Sequence, residues 1–189
     1  MPKAAVSFFF LLMLVSLPGY AQLSLDLLEK VMQSKFPILH LTWQALKQEI
    51  VSVDSSRYLL FDTRAPAEYQ TSHIRSAIQV DPQMPAADFI KIYGDTLKDK
   101  HVVFYCSVGY RSSIFALRVE AGALKAGARS VANLRGGIFR WYNEANPVVD
   151  VEGETDQIHP YDSFWGVLIR ERKKDETKDS MSPKQKHSE

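Results

Sequence analysis

Two rhythms of apolar positions alternate along this chain. Leu23, Leu27, Leu28, Val31 and Met32 recur at roughly helical spacing, which predicts an amphipathic helix over residues 23–36, packed on the main body and closed by Pro37. Thr42 is placed to cap a second helix running to Ile50. The run Arg57-Tyr58-Leu59-Leu60-Phe61 is short, apolar and stopped by Asp62, the pattern of a buried strand. Helical spacing returns over residues 65–70 and 85–93, and strand-like runs over 77–80 and 101–105. A long helix is predicted over 112–126 and ends at Gly127. A strand over 131–134 follows, and Gly136-Gly137 leads into a last helix through Glu144. Strands separated by helical segments call for an α/β fold, a parallel central sheet with helices on both faces. No internal repeat interrupts this order.

The chain's first residues follow neither rhythm. Met1 to Lys3 form a short basic start, Ala4 to Leu17 an apolar run of fourteen residues, and Pro18-Gly19-Tyr20-Ala21 a stretch ending in small residues. This is the pattern of a secretory signal peptide over 1–21, cleaved before Gln22. About 20 apolar residues are needed to span a bilayer, so the run is too short for a retained anchor and no stable membrane insertion is expected after cleavage. The expected location is the periplasm or the outside of the cell. Lys plus Arg number 23 and Asp plus Glu 22, a balance that gives no reason to expect nucleic acid as a partner. Any anion must therefore be held locally.

Export changes the meaning of cysteine usage. Cys106 is the only cysteine in 189 residues, so no internal disulfide can form, and an odd thiol in an exported protein is either reactive or paired with another molecule. The alternative is an inert, buried cysteine serving as a small hydrophobe. Its neighbours bear on the choice. Cys106 follows the strand 101–105, and in parallel sheets ligands gather beyond the carboxyl ends of strands. A loop turning into a helix there aims backbone N–H groups into one cavity, and the helix dipole adds partial positive charge. That field favours a thiolate and can bring a cysteine pKa from about 8.5 to near or below 7. Gly109 permits a tight bend, and Arg111 supplies a permanent cation.

Cys106-Ser107-Val108-Gly109-Tyr110-Arg111-Ser112 resembles the C-x-x-G-x-R-S active loop of rhodanese-like proteins. The likeness extends upstream to Asp62-Thr63-Arg64, Glu68-Tyr69 and His73-Ile74-Arg75-Ser76-Ala77-Ile78, where Ser76 replaces the family's usual glycine. Downstream, Leu134-Arg135-Gly136-Gly137-Ile138 with Trp141 resembles the family's closing segment. The resemblance covers residues 39–149. It implies a three-layer rhodanese-like fold with about five parallel strands, and a sulfurtransferase in which Cys106 takes sulfane sulfur as a persulfide. The donor implied is a small sulfur-containing anion such as thiosulfate, and the acceptor a thiol, cyanide or a protein. Ser107, Val108, Gly109, Tyr110, Arg111 and Ser112 would form the substrate cradle, with Arg111 on the donor's anionic end. No cofactor and no metal are implied.

Two rivals use the same residues. A cysteine-dependent phosphatase would use the cradle for phosphate, but that chemistry goes with five residues between Cys and Arg, and here there are four. A non-catalytic binding module is disfavoured by the intact Cys106. Asp62, Arg64 and Glu68 are expected to be structural ion pairs and turn caps, His73 a structural histidine, and Phe139, Trp141 and Tyr142 core. Residues 22–38 form the leading helical segment. Residues 150–169, with Tyr161, Phe164 and Trp165, are expected to fold back over the body, His159 packing among them or, as the alternative, lining the active site, and residues 170–189 to be a disordered charged tail.

Overall fold

The computed structural model describes residues 18–51 and 55–172. Most of the expected signal peptide and of the charged tail lie outside these residues. The elements run α1 (Pro18–Lys35), β1 (Leu39–Leu41), α2 (Trp43–Val51), β2 (Tyr58–Asp62), α3 (Pro66–Thr71), β3 (Ile78–Gln79), α4 (Ala86–Tyr93), β4 (His101–Tyr105), α5 (Tyr110–Lys125), β5 (Ser130–Leu134), α6 (Gly137–Asn143), β6 (Val148–Val149), β7 (Glu154–Thr155) and α7 (Ser163–Gly166). Strands β1 to β5 form one parallel sheet in the order β1-β5-β4-β2-β3. The α/β architecture with a five-stranded parallel sheet between helices is the one the sequence predicts.

Because side chains alternate across a strand, each central strand feeds two cores. On one face Phe61, Val102, Phe104 and Val131 meet Phe89 of α4 and Phe115, Ala116 and Val119 of α5. On the other, Leu60, Val103, Tyr105 and Leu134 meet Leu25 of α1, Leu46 of α2 and Ile138, Phe139 and Trp141 of α6. The near-continuous apolar runs in β2 and β4 exist because both faces are covered. The register pairs Phe61 with Phe104 and Phe104 with Asn133, so the strands end together and the loops after them open at one edge.

Two local differences from the sequence reading have physical reasons. Strand β1 has only three residues and sits at the sheet edge beside β5, too short for a strand rhythm to show. Helix α1 turns inward a stripe that overlaps the expected one only in part: Met32 is buried and Leu28 packs on the core as expected, joined by Leu25, Glu29 and, just past the helix end, Phe36, whereas Leu27 is 63% and Val31 43% exposed. Glu29 wins the inner face because Arg140 Nε donates to its Oε1 at 2.6 Å and Arg135 to its Oε2 at 3.2 Å. A charge with two partners can be buried where an unpaired one cannot. Ser76 occupies a left-handed conformation, φ 66°, which accounts for a glycine being the usual residue there.

Candidate active site

Cys106 follows β4 directly, at the edge where the loops open, and is buried. Its Sγ accepts the Gly109 N–H at 3.2 Å. Gly109 is the residue before α5 and has φ 98°, and a Cβ added to it would lie 3.1 Å from Asn133 Nδ2, so the turn needs glycine on both counts. The ladder of α5 starts with the Ser113 N–H donating to Gly109 O at 3.2 Å. The N–H groups of Tyr110, Arg111 and Ser112 therefore precede the ladder and face the loop at the positive end of a sixteen-residue helix.

Three supports fix this loop from behind. The Ile138 and Phe139 N–H groups of α6 donate to Cys106 O at 2.9 Å and Ser107 O at 3.0 Å. Both carbonyls are thereby turned into α6, and across trans peptides the N–H groups of Ser107 and Val108 point the opposite way. That approach needs Gly137, because a Cβ there would lie 2.2 Å from Cys106 O. The second support is a chain of polar groups through the sheet. Ser112 Oγ donates to Asn133 Oδ1 at 2.6 Å, Asn133 Nδ2 donates to His40 Nδ1 at 3.3 Å, and His40 Nε2 donates to Phe36 O at 3.1 Å. The order of donors assigns the His40 proton to Nε2.

Glu68 is the third support. Arg111 donates through both terminal nitrogens to its two carboxylate oxygens, each at 2.8 Å, and Ser107 Oγ donates to Oε1 at 3.1 Å. The Ala65 N–H also donates to Glu68 Oε2, at 3.0 Å. Burial works against the Glu68 charge, but the Arg111 hydrogen bonds, the Ala65 N–H and the nearby arginines outweigh it and hold the carboxyl below its usual range. Burial likewise opposes the Arg111 charge, and its hydrogen bonds and proximity to Glu68, with Cys106 nearby, hold its pKa above the ordinary value.

In front of the loop lies a cavity of about 290 Å³ lined by Cys106, Ser107, Val108, Tyr110, Arg111, Tyr161 and Trp165. Its floor offers a sulfur nucleophile among backbone donors; its sides are largely aromatic. The Tyr161 ring lies over the Arg111 guanidinium at 4.8 Å.

This arrangement agrees with a family comparison: the rhodanese-like domain model matches residues 42–144, more than half of the chain. The chain belongs to the rhodanese-like domain family. A sulfurtransferase of Allochromatium vinosum is 34% identical over 110 residues, which are 58% of this chain and 94% of that protein. A probable molybdopterin-synthase adenylyltransferase of Porphyra purpurea is 32% identical over 112 residues, 58% of this chain but only 27% of that longer protein. Among solved structures, a thiosulfate sulfurtransferase from Pseudomonas aeruginosa superposes with a TM-score of 0.51 at 21% identity, over 77% of this chain and 26% of that one; the likeness is one of fold. Family membership and the sulfurtransferase relative support sulfur transfer as the general chemistry.

Within this rhodanese-like domain, five of the seven loop residues singled out from the sequence line the cavity. Gly109 and Ser112 do not: Gly109 gives its N–H to the sulfur, and the Ser112 hydroxyl is turned into the sheet toward Asn133. Arg111 is at the cavity wall, but its fork is already occupied by Glu68 rather than held open. Asp62 and Arg64 form a wholly buried ion pair at 2.6 Å, with Arg64 also donating to Ser72 O at 2.6 Å, a structural role like the one expected. His73 is likewise structural, stacked on Tyr69 at 3.9 Å and bonded to Tyr69 O at 3.0 Å. Glu68 is more than a turn cap, since it reaches 43 residues forward to Arg111. Tyr161 and Trp165 complete the cavity from beyond the matched domain, and the signal in the sequence was their place in an apolar, aromatic segment after it. His159 accepts the Tyr161 N–H at 3.0 Å on Nδ1.

That later segment is docked on α6. Tyr142 Oη donates to Asp156 O and Asn143 Nδ2 to Leu168 O, each at 2.7 Å, while Leu168 is buried in the core. Arg170 and Arg172, expected to open the disordered tail, belong instead to the docked part, because polar groups of α6 and the turn after it receive them. The Arg170 N–H donates to Asn143 Oδ1 at 2.9 Å, and Arg172 donates to Tyr142 O and Asn146 O at 2.7 Å and stacks on the Tyr142 ring at 3.7 Å.

Proposed function

We propose that this protein is a sulfurtransferase that carries sulfane sulfur on Cys106, taking it from an anionic donor such as thiosulfate and passing it to a thiol, cyanide or a protein acceptor. The observation that carries the reading is the Gly109 N–H on Sγ at 3.2 Å, at the head of α5 and on the floor of an open cavity. With thiosulfate, the Cys106 thiolate attacks the outer sulfur, a new sulfur–sulfur bond forms, and the old one breaks with its electron pair leaving on sulfite. The product is a Cys106 persulfide anion of unchanged charge. Its terminal sulfur lies where the Ser107 and Val108 N–H groups and those opening α5 converge, donors fixed before the reaction starts. Attack by the acceptor on that terminal sulfur returns the thiolate. Sulfite leaves readily as an anion, so the step needs no proton donor, and none of the cavity-lining side chains is asked to be one.

The fourteen-residue apolar run after a basic start supports action after export, in a periplasm or outside the cell. Cleavage before Gln22 removes only the first turn of α1 and leaves its packed residues from Leu25 onward. Amino-terminal sequencing of exported protein should begin at Gln22; membrane-fixed protein starting at Met1 would contradict export in soluble form.

Thiocyanate formation from thiosulfate or another sulfane donor and cyanide tests the activity. It should depend on Cys106 and vanish in Cys106→Ser. An aryl phosphate hydrolysed through Cys106, with no thiocyanate formed from any donor, would overturn the reading in favour of phosphoryl chemistry.

A further inference from the structure

Two of the seven residues around the catalytic cavity, Tyr161 and Trp165, come from outside the matched domain. They stand opposite a floor whose charge is already balanced. Both forks of the Arg111 guanidinium that point at Glu68 are bonded, and Tyr161 lies over its face. Lys35 lies over the Tyr110 ring at 5.1 Å but is not among the residues that line the cavity. What remains for a bound anion is backbone N–H groups and the amino end of α5, equivalent to roughly half a positive charge. Val108, Tyr110, Tyr161 and Trp165 form the rest of the wall. Thiosulfate, a small and strongly hydrated dianion without an apolar part, leaves that wall unused and meets little net positive charge.

We propose that Tyr161 and Trp165 select a monoanionic organic sulfane-sulfur donor, one whose transferable sulfur is attached to an apolar group seated between these rings and Tyr110. This deepens the sulfurtransferase reading and rests on it. For a thiosulfonate, R–SO2–S⁻, the Cys106 thiolate attacks the terminal sulfur. The new sulfur–sulfur bond forms as the bond to the sulfonyl sulfur breaks, and the electron pair departs with the sulfinate R–SO2⁻, leaving the Cys106 persulfide anion. Atoms and charge balance with no added oxidant, reductant or proton. The single charge sits at the end that faces the N–H groups, and the apolar end faces the aromatic wall.

Tyr161 itself is set for this place. Its φ is 68°, a left-handed conformation unfavourable for a tyrosine, and its N–H is tied to His159 Nδ1. Asp162 accepts the N–H groups of Phe164 and Trp165 on one oxygen, each at 2.9 Å, and so fixes the short turn of α7 that carries Trp165.

The test uses the whole mature chain with three donors: thiosulfate, methanethiosulfonate and benzenethiosulfonate. Each kcat/KM is divided by that donor's rate with a free thiol, which removes intrinsic reactivity. Benzenethiosulfonate should exceed methanethiosulfonate by about tenfold, mainly through KM, as expected for one aromatic contact set. Thiosulfate should rank last. In Tyr161→Ser/Trp165→Ser the ratio of the aryl to the methyl donor should fall to near one. Glu68→Gln, which leaves the Arg111 charge unbalanced, should raise thiosulfate relative to methanethiosulfonate. Equal use of the two thiosulfonates by wild type, a first rank for thiosulfate, or an aryl preference that survives in the double variant would each overturn the assignment while leaving sulfur transfer intact. Failure of all three donors to load sulfur on Cys106 would remove the sulfurtransferase reading and this assignment together.

Discussion

The floor of the cavity, residues 106–112, and its outer wall, Tyr161 with Trp165, face each other across the same space, yet they are held in different ways. The floor is buried apart from Tyr110 and Arg111 and is fixed from α6, from the sheet through Asn133, and from Glu68. The wall is carried on a segment docked at its ends on α6, with Tyr161 49% exposed and held within its own turn by the His159 and Asp162 side chains. A buried loop held from three sides suits the invariant chemistry proposed for it. Of the wall's two rings, Trp165 packs partly buried on the core cluster that includes Val108, whereas Tyr161, half exposed, is the one that can change with least disturbance to that loop. On the proposed reading, chemistry and selection are carried by parts held in these two different ways.

The contrast predicts a ranked set of effects. Gly137→Ala should be the most damaging, because its Cβ would collide at 2.2 Å with a carbonyl that cannot move away, in a backbone at φ 56°. A cost of about 3 kcal/mol is expected, seen as a fall in Tm of roughly 6–12 °C and loss of sulfur transfer together. A Gly137→Ala protein as stable and active as wild type would show that α6 does not clamp the loop.

Glu68→Ala comes next. It leaves Arg111, Ser107 and the Ala65 N–H without their acceptor, and because the Arg111 side chain is 26% exposed the loss is smaller than for a fully buried pair, about 2 kcal/mol. Its pH dependence has a definite sign. The Glu68 carboxyl is held below its ordinary value of 4.5 in the folded protein. Its contribution is therefore complete above that value and is lost as pH falls through the folded pKa beneath it. The Tm difference between wild type and Glu68→Gln should be constant at neutral pH and shrink below 4.5. A difference that widens on acidification would mean that the carboxyl is not stabilised in its charged form.

Smallest is the effect of the wall on stability. Tyr161→Ser should change unfolding free energy by no more than about 0.5 kcal/mol, as for other exposed substitutions, since the side chain is about half exposed and serine, which also carries a Cβ, keeps the same left-handed backbone. A much larger loss, measured by denaturant unfolding, would mean that the wall is part of the folding core and that the two regions are not separable.

The same division explains what the sequence disclosed. The floor is legible because its signals are local: an apolar strand, a lone cysteine, Gly109 and the start of a helix lie within a few residues, whereas Gly136-Gly137 announces only the start of a helix and not its approach to Cys106. The buried face of α1 is legible at Leu28 and Met32 but not at Glu29, which acquires partners at Arg135 and Arg140 more than a hundred residues away. Glu68 is expected from the sequence in an ion pair or a turn cap, but spacing along α3 does not name Arg111 as its partner. Tyr161 and Trp165 could be recognised as an apolar segment that folds back, but their arrival at Cys106 depends on how Asn143 and the core around Leu168 receive it. Strand β1 was too short to announce itself and is defined by β5 beside it.

The central claim is that Cys106 accepts and returns a sulfur atom on this floor, and intact-protein mass spectrometry tests it most directly. Mature protein incubated with thiosulfate or benzenethiosulfonate should gain the mass of one sulfur atom, located at Cys106, and lose it on addition of cyanide, while Cys106→Ser gains nothing. A folded wild-type protein that stays unmodified with every donor, or that gains sulfur equally when Cys106 is replaced, would contradict the account.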